Sequence, residues 1–588
     1  MAEEIPEENP EVSMAMRLLS TTGTSLFLTG KAGTGKTTFL RRLRTTLRKR
    51  MVVLAPTGIA AIQAGGVTIH SFFQLPFTPF VPGTVQSGQA RFAMRGQKLK
   101  LIQSLELLVI DEISMVRADL MDAVDDVLRR LRRNNLPFGG VQLLLIGDLQ
   151  QLAPVVREEE RTLLSPYYHT LYFFGSRALG KLDYVTLELK KVYRQTDAAF
   201  LNLLYSVRQG QAGPDVLREL NNRYRPGFQP SPGEGYVRLT THNWQADSVN
   251  EKELELIQEK PFVFNAKIKG KFPEYAFPTD HSLVLKKGAQ VMFVKNDAEK
   301  RYFNGMIGEV VEIGREGLVV RPHNPSYEPV DVKPETWDNV KYEIDTEANE
   351  IKETVEGTFR QYPLRLAWAI TIHKSQGLTF DRVIIDASAA FAHGQTYVAL
   401  SRCRTLEGIV LSAPIPPSAI IADRTVLQYT RDMTARKVDE ETLKAMQRDY
   451  ERFLITELFS FSQERVAFST LVRIMQQHFP ASLAQATGRF DEQLHKFDLE
   501  VMGVAGRFHT QYSRMFENNA DLNDGLFKDR VSKGAAYFAG KLEETDRFIH
   551  EESKIKIGNA AVRKRFKTAL EQLLDLLDEH QRKLEEKI

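Results

Sequence analysis

The chain has 588 residues, enough for several domains rather than one. Its 43% hydrophobic and 26% charged content is ordinary for globular proteins and excludes a fibrous or wholly disordered chain. A formal net charge of only +3 means that any nucleic-acid contact must come from a local basic groove, and a single cysteine, Cys403, excludes an intramolecular disulfide or a cysteine-rich zinc site.

The first twelve residues, MAEEIPEENPEV, are acidic and lack an apolar core, which argues against a signal peptide. No run approaches the roughly 18 apolar residues of a membrane span. The expectation is a cytoplasmic protein, associated with the nucleoid if bacterial. SLFLTG (25–30), MVVLAP (51–56), LELLVID (105–111) and VQLLLIGD (141–148) are apolar runs separated by helix-like stretches. This pattern predicts an α/β fold with a parallel sheet covered on both faces. Residues 74–97, with three prolines and alternating aromatics, read as a loop or hairpin insertion.

Strand-like runs resume at YVTLEL (184–189) and YVRLTT (236–241). Residues 245–360 are β-branched and turn-rich, as in a small β-barrel. The α/β pattern returns with LRLAWAI (364–370), RVIIDAS (382–388) and GIVLSA (408–413). Pro414, Pro416 and Pro417 mark a linker, and residues 421–588 read as all-helical, with Phe566, Leu570, Leu573, Leu574 and Leu577 at helical spacing. The expected layout is a first lobe over 1–178, a second over 179–244 and 361–420, an insertion over 245–360, and a helical domain over 421–588.

Gly30-Lys-Ala-Gly-Thr-Gly35-Lys36-Thr37 fits G-x-x-x-x-G-K-[ST] between a strand and a helix. Glycines let backbone N–H groups turn toward phosphate oxygens, and the helix N-terminus adds positive potential. Gly30, Gly33, Thr34, Gly35, Lys36, Thr37 and Thr38 are the candidate nucleotide contacts. Lys36 would reach the β- and γ-phosphates, and Thr37 would hold Mg²⁺. Asp111, at the end of an apolar strand, is the second candidate oxygen ligand for Mg²⁺, and Glu112 is placed to deprotonate the attacking water. Arg194 and Arg402 are candidate arginines for γ-phosphate charge. Cys403 beside Arg402 reads as a small buried residue.

Six stretches occur in one order: APTGIAAIQAGGVTIHSFF (55–73), LLVIDEISM (107–115), FGGVQLLLIGDLQQLAPV (138–155), LELKKVYRQ (187–195), AITIHKSQGLTF (369–380) and YVALSRCR (397–404). Together with EISMVRADLMDAVDDVLRRLR (112–132) they resemble the PIF (petite integration frequency) family of superfamily 1, 5′-to-3′ DNA helicases, related to RecD. The resemblance covers about residues 12–420. It implies two RecA-like lobes with ATP and Mg²⁺ between them, Gln151 as the γ-phosphate sensor, and Arg194 and Arg402 as arginines delivered from the second lobe. It also implies single-stranded DNA on Pro56, Thr57, Gly58, His70, Ser71 and Phe72 of the first lobe and on His373, Lys374, Ser375 and Gln376 of the second. A wedge at about 75–97 and a Src-homology-3-like barrel at 245–360 would flank the duplex junction. The basic run Lys267–Lys271 reads either as a duplex contact or as a solvated turn.

The family's adenine-reading glutamine is absent from residues 1–30, where Asn9 can hydrogen-bond a base. The function implied is unwinding of duplex or structured DNA in replication, repair and recombination. The alternatives are a DNA-stimulated nucleotide switch or a recruitment factor, the helical domain docking a protein partner. Lys and Arg balance Asp and Glu in that domain, although Arg563, Lys564, Arg565 and Lys567 cluster.

Overall fold

The structure, a computed structural model, describes residues 9–31, 33–83, 94, 96–191, 197–314, 317–345, 350–386, 394–420, 423–434, 438–517 and 524–587. The chain divides into two compact units, one of residues 1–20 and 24–438 and one of 21–23 and 439–588.

The first lobe is a six-stranded, all-parallel sheet: β1 (Ser25–Gly30), β2 (Met51–Ala55), β3 (Val67–Thr68), β4 (Leu107–Ile110), β5 (Gln142–Gly147) and β6 (Tyr184–Leu189). They run in the order β3-β2-β4-β5-β1-β6. β1, β4 and β5 are buried along their whole length, which is why they read as unbroken apolar runs. β6 corrects the expected layout. It pairs with β1 from Ser25↔Tyr184 to Gly30↔Leu189, so the first lobe extends past residue 178. Residues 84–93 and 95 of the expected wedge lie outside the described residues.

Helix Ala118–Arg132 carries three aspartates at a spacing of three, so Asp119, Asp122 and Asp125 share one side. All three are buried, and each holds a different loop. Asp119 accepts from the Phe80 amide at 3.0 Å and pairs with Arg117. Asp122 accepts from the Ala178 amide at 3.0 Å and from the Tyr168 and Ser176 hydroxyls. Asp125 accepts from the Phe138 amide at 2.6 Å and pairs with Arg129.

The second lobe is a four-stranded parallel sheet, ordered Ala369–Thr371, Val237–Thr240, Val383–Ile385, Ile409–Leu411. Cys403 is buried in its core, and burial pushes the thiol up to about 12, as expected of a packing residue.

The insertion holds a five-stranded antiparallel sheet and a long hairpin, Glu335–Asp345 with Glu350–Gln361, extended by Lys267–Gly270. The basic run at Lys267 is therefore a strand rather than a turn. Leu364–Leu366, read as a second-lobe strand, pairs instead with Gln290–Phe293 in the insertion sheet. The hairpin reaches the first lobe. Tyr342 and Ile344 join that lobe's core, and the Tyr342 hydroxyl accepts from the Val53 amide at 3.1 Å, where the two-residue β3 leaves the side of β2 uncovered.

Helix Arg424–Thr434 also departs from the expected boundary at 421. Its Tyr429 stacks on Phe174 at 4.1 Å and shares a 2.7 Å hydrogen bond with Tyr184. It therefore belongs to the first unit. The second unit consists of six main helices from Glu440–Leu458 to Ala560–Glu585 around a phenylalanine-rich core of its own. Of the expected stripe, Phe566, Leu573 and Leu577 are buried, and Leu570 and Leu574 pack against them.

The aspartate row generates a stability test. Asp122→Ala strips four partners from a buried carboxylate and should cost about 3 kcal/mol. Asp126→Ala, on the exposed face of the same helix, should stay within about 0.5 kcal/mol. Urea unfolding of both variants checks the contrast. Equal losses would show that the row does not hold the loops.

Candidate functional site

The phosphate loop follows β1. Gly33 and Gly35 sit at φ +80° and +88°, conformations that a side chain would strain. Gly30 is required for a different reason: a Cβ there would lie 2.6 Å from the Thr34 hydroxyl oxygen and 2.9 Å from the Leu189 carbonyl. Lys36 donates to the carbonyls of Gly30 at 2.6 Å and Lys31 at 3.1 Å. Burial pulls its ammonium below the usual lysine range, against the opposing pull of Asp148, Glu112 and Asp111. Thr37 and Thr38 are exposed at the start of helix Lys36–Thr46.

Asp111 and Glu112 leave the end of β4. Glu112 occupies the left-handed region at φ +52°, a strained setting for glutamate that is held by its amide donating to Asp111 at 2.9 Å. Burial, then the neighbouring Asp111, pushes the Glu112 carboxyl up to about 7, while Lys36 and Arg402 pull the other way. Burial also raises Asp111. Thr37 hydroxyl and Asp111 carboxylate are hard oxygen donors next to a buried acid pair, a donor set that suits Mg²⁺. Among the described residues there is no group of three or more His, Cys, Asp or Glu that could hold a metal ion by itself.

The loop after β5 joins the lobes. Gln151 is buried, and its amide donates to Asp148 at 3.3 Å. Leu152 is buried in the second lobe's core. The carbonyl of Gln151 lies against Gly394 of that lobe, where a Cβ would come within 1.8 Å. Asp148 takes an ion pair from Arg208, at the end of helix Ala198–Arg208, at 3.1 Å. Burial alone would raise Asp148, but Arg208 and Lys36 hold it below the usual carboxylate range. Arg208 also reaches Glu188 at 3.4 Å. Sequence reasoning missed Arg208, because an arginine ending an amphipathic helix carries no motif of its own.

Arg194, a candidate finger, lies outside the described residues. Arg402 is 1% exposed. Its guanidinium donates to the carbonyls of Val398 at 2.9 Å, Ser375 at 3.2 Å and Leu378 at 3.3 Å. It thus braces the segment His373–Leu378 while its charge acts on Glu112.

The candidate DNA residues divide. Thr57 and Ser71 are exposed, and Pro56, His70, His373, Lys374 and Gln376 are half-buried. Burial lowers both histidines, so they face solvent as neutral donors at pH 7. Phe72 is corrected: it is a core residue, edge-on to Phe73 and Tyr342. The exposed aromatic here is Phe77, stacked 4.7 Å from His70. Ser375 is fully buried, its hydroxyl donating to the Ile372 carbonyl at 2.7 Å. Gly58 lies under Ala276 of the insertion, where a Cβ would stand 3.0 Å from its Cα. Asn9 caps the first helix by accepting from the Glu11 amide at 3.0 Å, and its buried Nδ2 makes no hydrogen bond to the described residues.

Known proteins resemble this chain in sequence and fold. Residues 7–214 match the PIF1-like helicase family, 366–410 a UvrD-like helicase C-terminal domain, and 442–587 a DNA helicase middle domain. The ATP-dependent DNA helicase Pif1 of Bdellovibrio bacteriovorus is 34% identical over 72% of this chain and 91% of its own. The chain belongs to the PIF1-like helicase family. The human member is 35% identical over 72% of this chain, which spans 64% of the human length. A crystal structure of Pif1 from Bacteroides sp. in complex with ADP-AlF4 is 40% identical, covers 74% of this chain and 98% of its own, and gives a TM-score of 0.69. The same Bacteroides protein bound to single-stranded DNA gives 41% identity, the same coverages and a TM-score of 0.53. Both PIF1-like structures leave part of this chain unmatched.

Two predictions arise from the charge cluster. Glu112 has a folded pKa of about 7 against 4.5 when unfolded, so its favourable contribution is full below about pH 4.5 and is lost as pH rises through 7. In the absence of metal and nucleotide, the Tm of Glu112→Gln minus that of the parent should therefore grow from pH 5 to pH 8. A flat difference would refute the burial argument. Arg208→Ala leaves Asp148 buried and unpaired and should cost about 3 kcal/mol, much of it recovered in the double variant with Asp148→Asn. Additive losses in the denaturant series would mean that the pair is not coupled.

Proposed function

We propose that this chain is an ATP- and Mg²⁺-dependent motor that moves 5′ to 3′ along single-stranded DNA and unwinds duplex or structured DNA in genome maintenance. The observation that carries the reading is the seam in which Lys36, Asp111, Glu112 and the Gln151 loop of one lobe meet Arg208 and Gly394 of the other. A nucleotide held there contacts both lobes, so hydrolysis changes their spacing. Thr37 and Asp111 would hold Mg²⁺, which when bound would supply positive charge to the phosphates. Lys36 exchanges its loop carbonyls for phosphate oxygens, Glu112 accepts the water's proton, and Gln151 orients that water. Arg402 positions the second-lobe DNA segment from the same interior, and Arg194 is assigned the second-lobe cation. Asn9, with an unused amide nitrogen, is the proposed reader of the base.

DNA binding is assigned to Thr57, His70, Ser71, Phe77, His373, Lys374 and Gln376, hydroxyl, amide, imidazole, ammonium and aromatic groups that suit phosphates and base faces without a sequence code. Single-stranded DNA bound to the Bacteroides relative supports this assignment. The insertion's five-stranded sheet is read as the barrel, and residues 439–587 as an auxiliary domain.

Paired duplexes with only a 5′ or only a 3′ overhang test the reading. Unwinding should require the 5′ overhang and ATP, and Glu112→Gln should lose about 100-fold or more of turnover while keeping nucleotide binding. Hydrolysis stimulated by DNA without strand separation on either substrate would favour a nucleotide switch.

A further inference from the structure

The chain has three tryptophans. Trp337 is buried and Trp368 half-buried, but Trp244 is 68% exposed. A lone exposed aromatic is ordinary on a protein surface. Its address is what distinguishes this one. Trp244 lies in the first turn of helix Asn243–Leu256, directly after the strand Val237–Thr240. That strand is the parallel neighbour of Ala369–Thr371, and the Ile372 amide donates to the Thr240 carbonyl at 2.8 Å. The turns 241–244 and 372–375 therefore leave the same end of adjacent strands.

The helix is fixed in that position. Asn250 makes two hydrogen bonds to the backbone of Ala369, each 2.9 Å. Asp247, three residues after Trp244 on the same side of the helix, acts electrostatically on Lys374. His242 approaches the indole at 6.4 Å between ring centroids, tilted by 39°, and its Nδ1 is held by the Thr241 hydroxyl at 2.8 Å. An exposed indole face and an imidazole thus stand at an ordered helix terminus, beside the turn that carries the Lys374 ammonium. Phe77 offers an exposed aromatic face among the first-lobe DNA residues, and Trp244 offers the corresponding face beside those of the second lobe.

We propose that Trp244 is a stacking platform for one base of single-stranded DNA, with Lys374 holding a neighbouring phosphate. The proposal rests on the DNA-motor reading above and adds to it a contact of no sequence preference, since every base offers a π-face. The test uses the full chain and an oligothymidylate of about 12 nucleotides, followed by tryptophan emission and by an independent binding measurement. The parent should show saturable quenching. Trp244→Ala should lose most of the quenching and weaken binding about tenfold. Trp244→Phe should lose the quenching yet bind within about threefold of the parent, and it decides the matter if the alanine variant fails to fold. A parent that does not bind the oligonucleotide removes the DNA reading and this proposal with it. A parent that binds, with Trp244→Ala binding equally well, overturns the stacking platform alone.

Discussion

The motor unit is organised around five charged groups in one seam: Lys36, Asp111, Glu112, Asp148 and Arg208. Two cations face three acids where burial penalises every one of them. Each charge is tolerated because another lies close, so no member can be placed independently of the rest. The loops that carry them are shaped accordingly, Glu112 in the left-handed region and Gly394 pressed against the Gln151 carbonyl. The parallel sheet behind the first lobe supplies the rigidity that such placement needs, since β1, β4 and β5 all deliver their loops at the same edge.

The nucleotide half of the site was legible in the sequence because its requirements are local. A phosphate loop needs glycines, a lysine and a helix start in consecutive order, and an acid pair needs a strand to end. Arg208 was not legible, because its significance depends on where a helix of one lobe stops against a loop of the other. The same reason explains Phe72: its motif placed it beside His70, but only the three-dimensional packing decides which of two neighbouring aromatics, Phe72 or Phe77, faces solvent. The lobe boundary at β6 is not legible because a strand's own residues do not say which sheet it joins. Helix Arg424–Thr434 was assigned to the tail on composition, whereas one tyrosine, stacked on Phe174, attaches it to the motor.

Two devices hold distant segments of the motor unit without adding core. The aspartate row of helix Ala118–Arg132 ties three loops through backbone amides, which tolerates almost any side chain in those loops. The insertion's hairpin sends Tyr342 to the side of β2 beyond the two-residue β3, where its hydroxyl satisfies the Val53 amide. Both use polar groups at points where a sheet or helix ends and apolar packing has no surface to act on.

The ion pair between Asp148 and Arg208 also limits how the lobes can move. Both side chains are at least nine-tenths buried. A small separation would strip each ion of its partner before water could reach it, the costliest arrangement available. The gap between the lobes is therefore stable when shut and dry, or when wide enough to be wet, and poorly populated in between. Any parting of the two lobes therefore meets a threshold, to which one buried guanidinium contributes as well as the area of the interface.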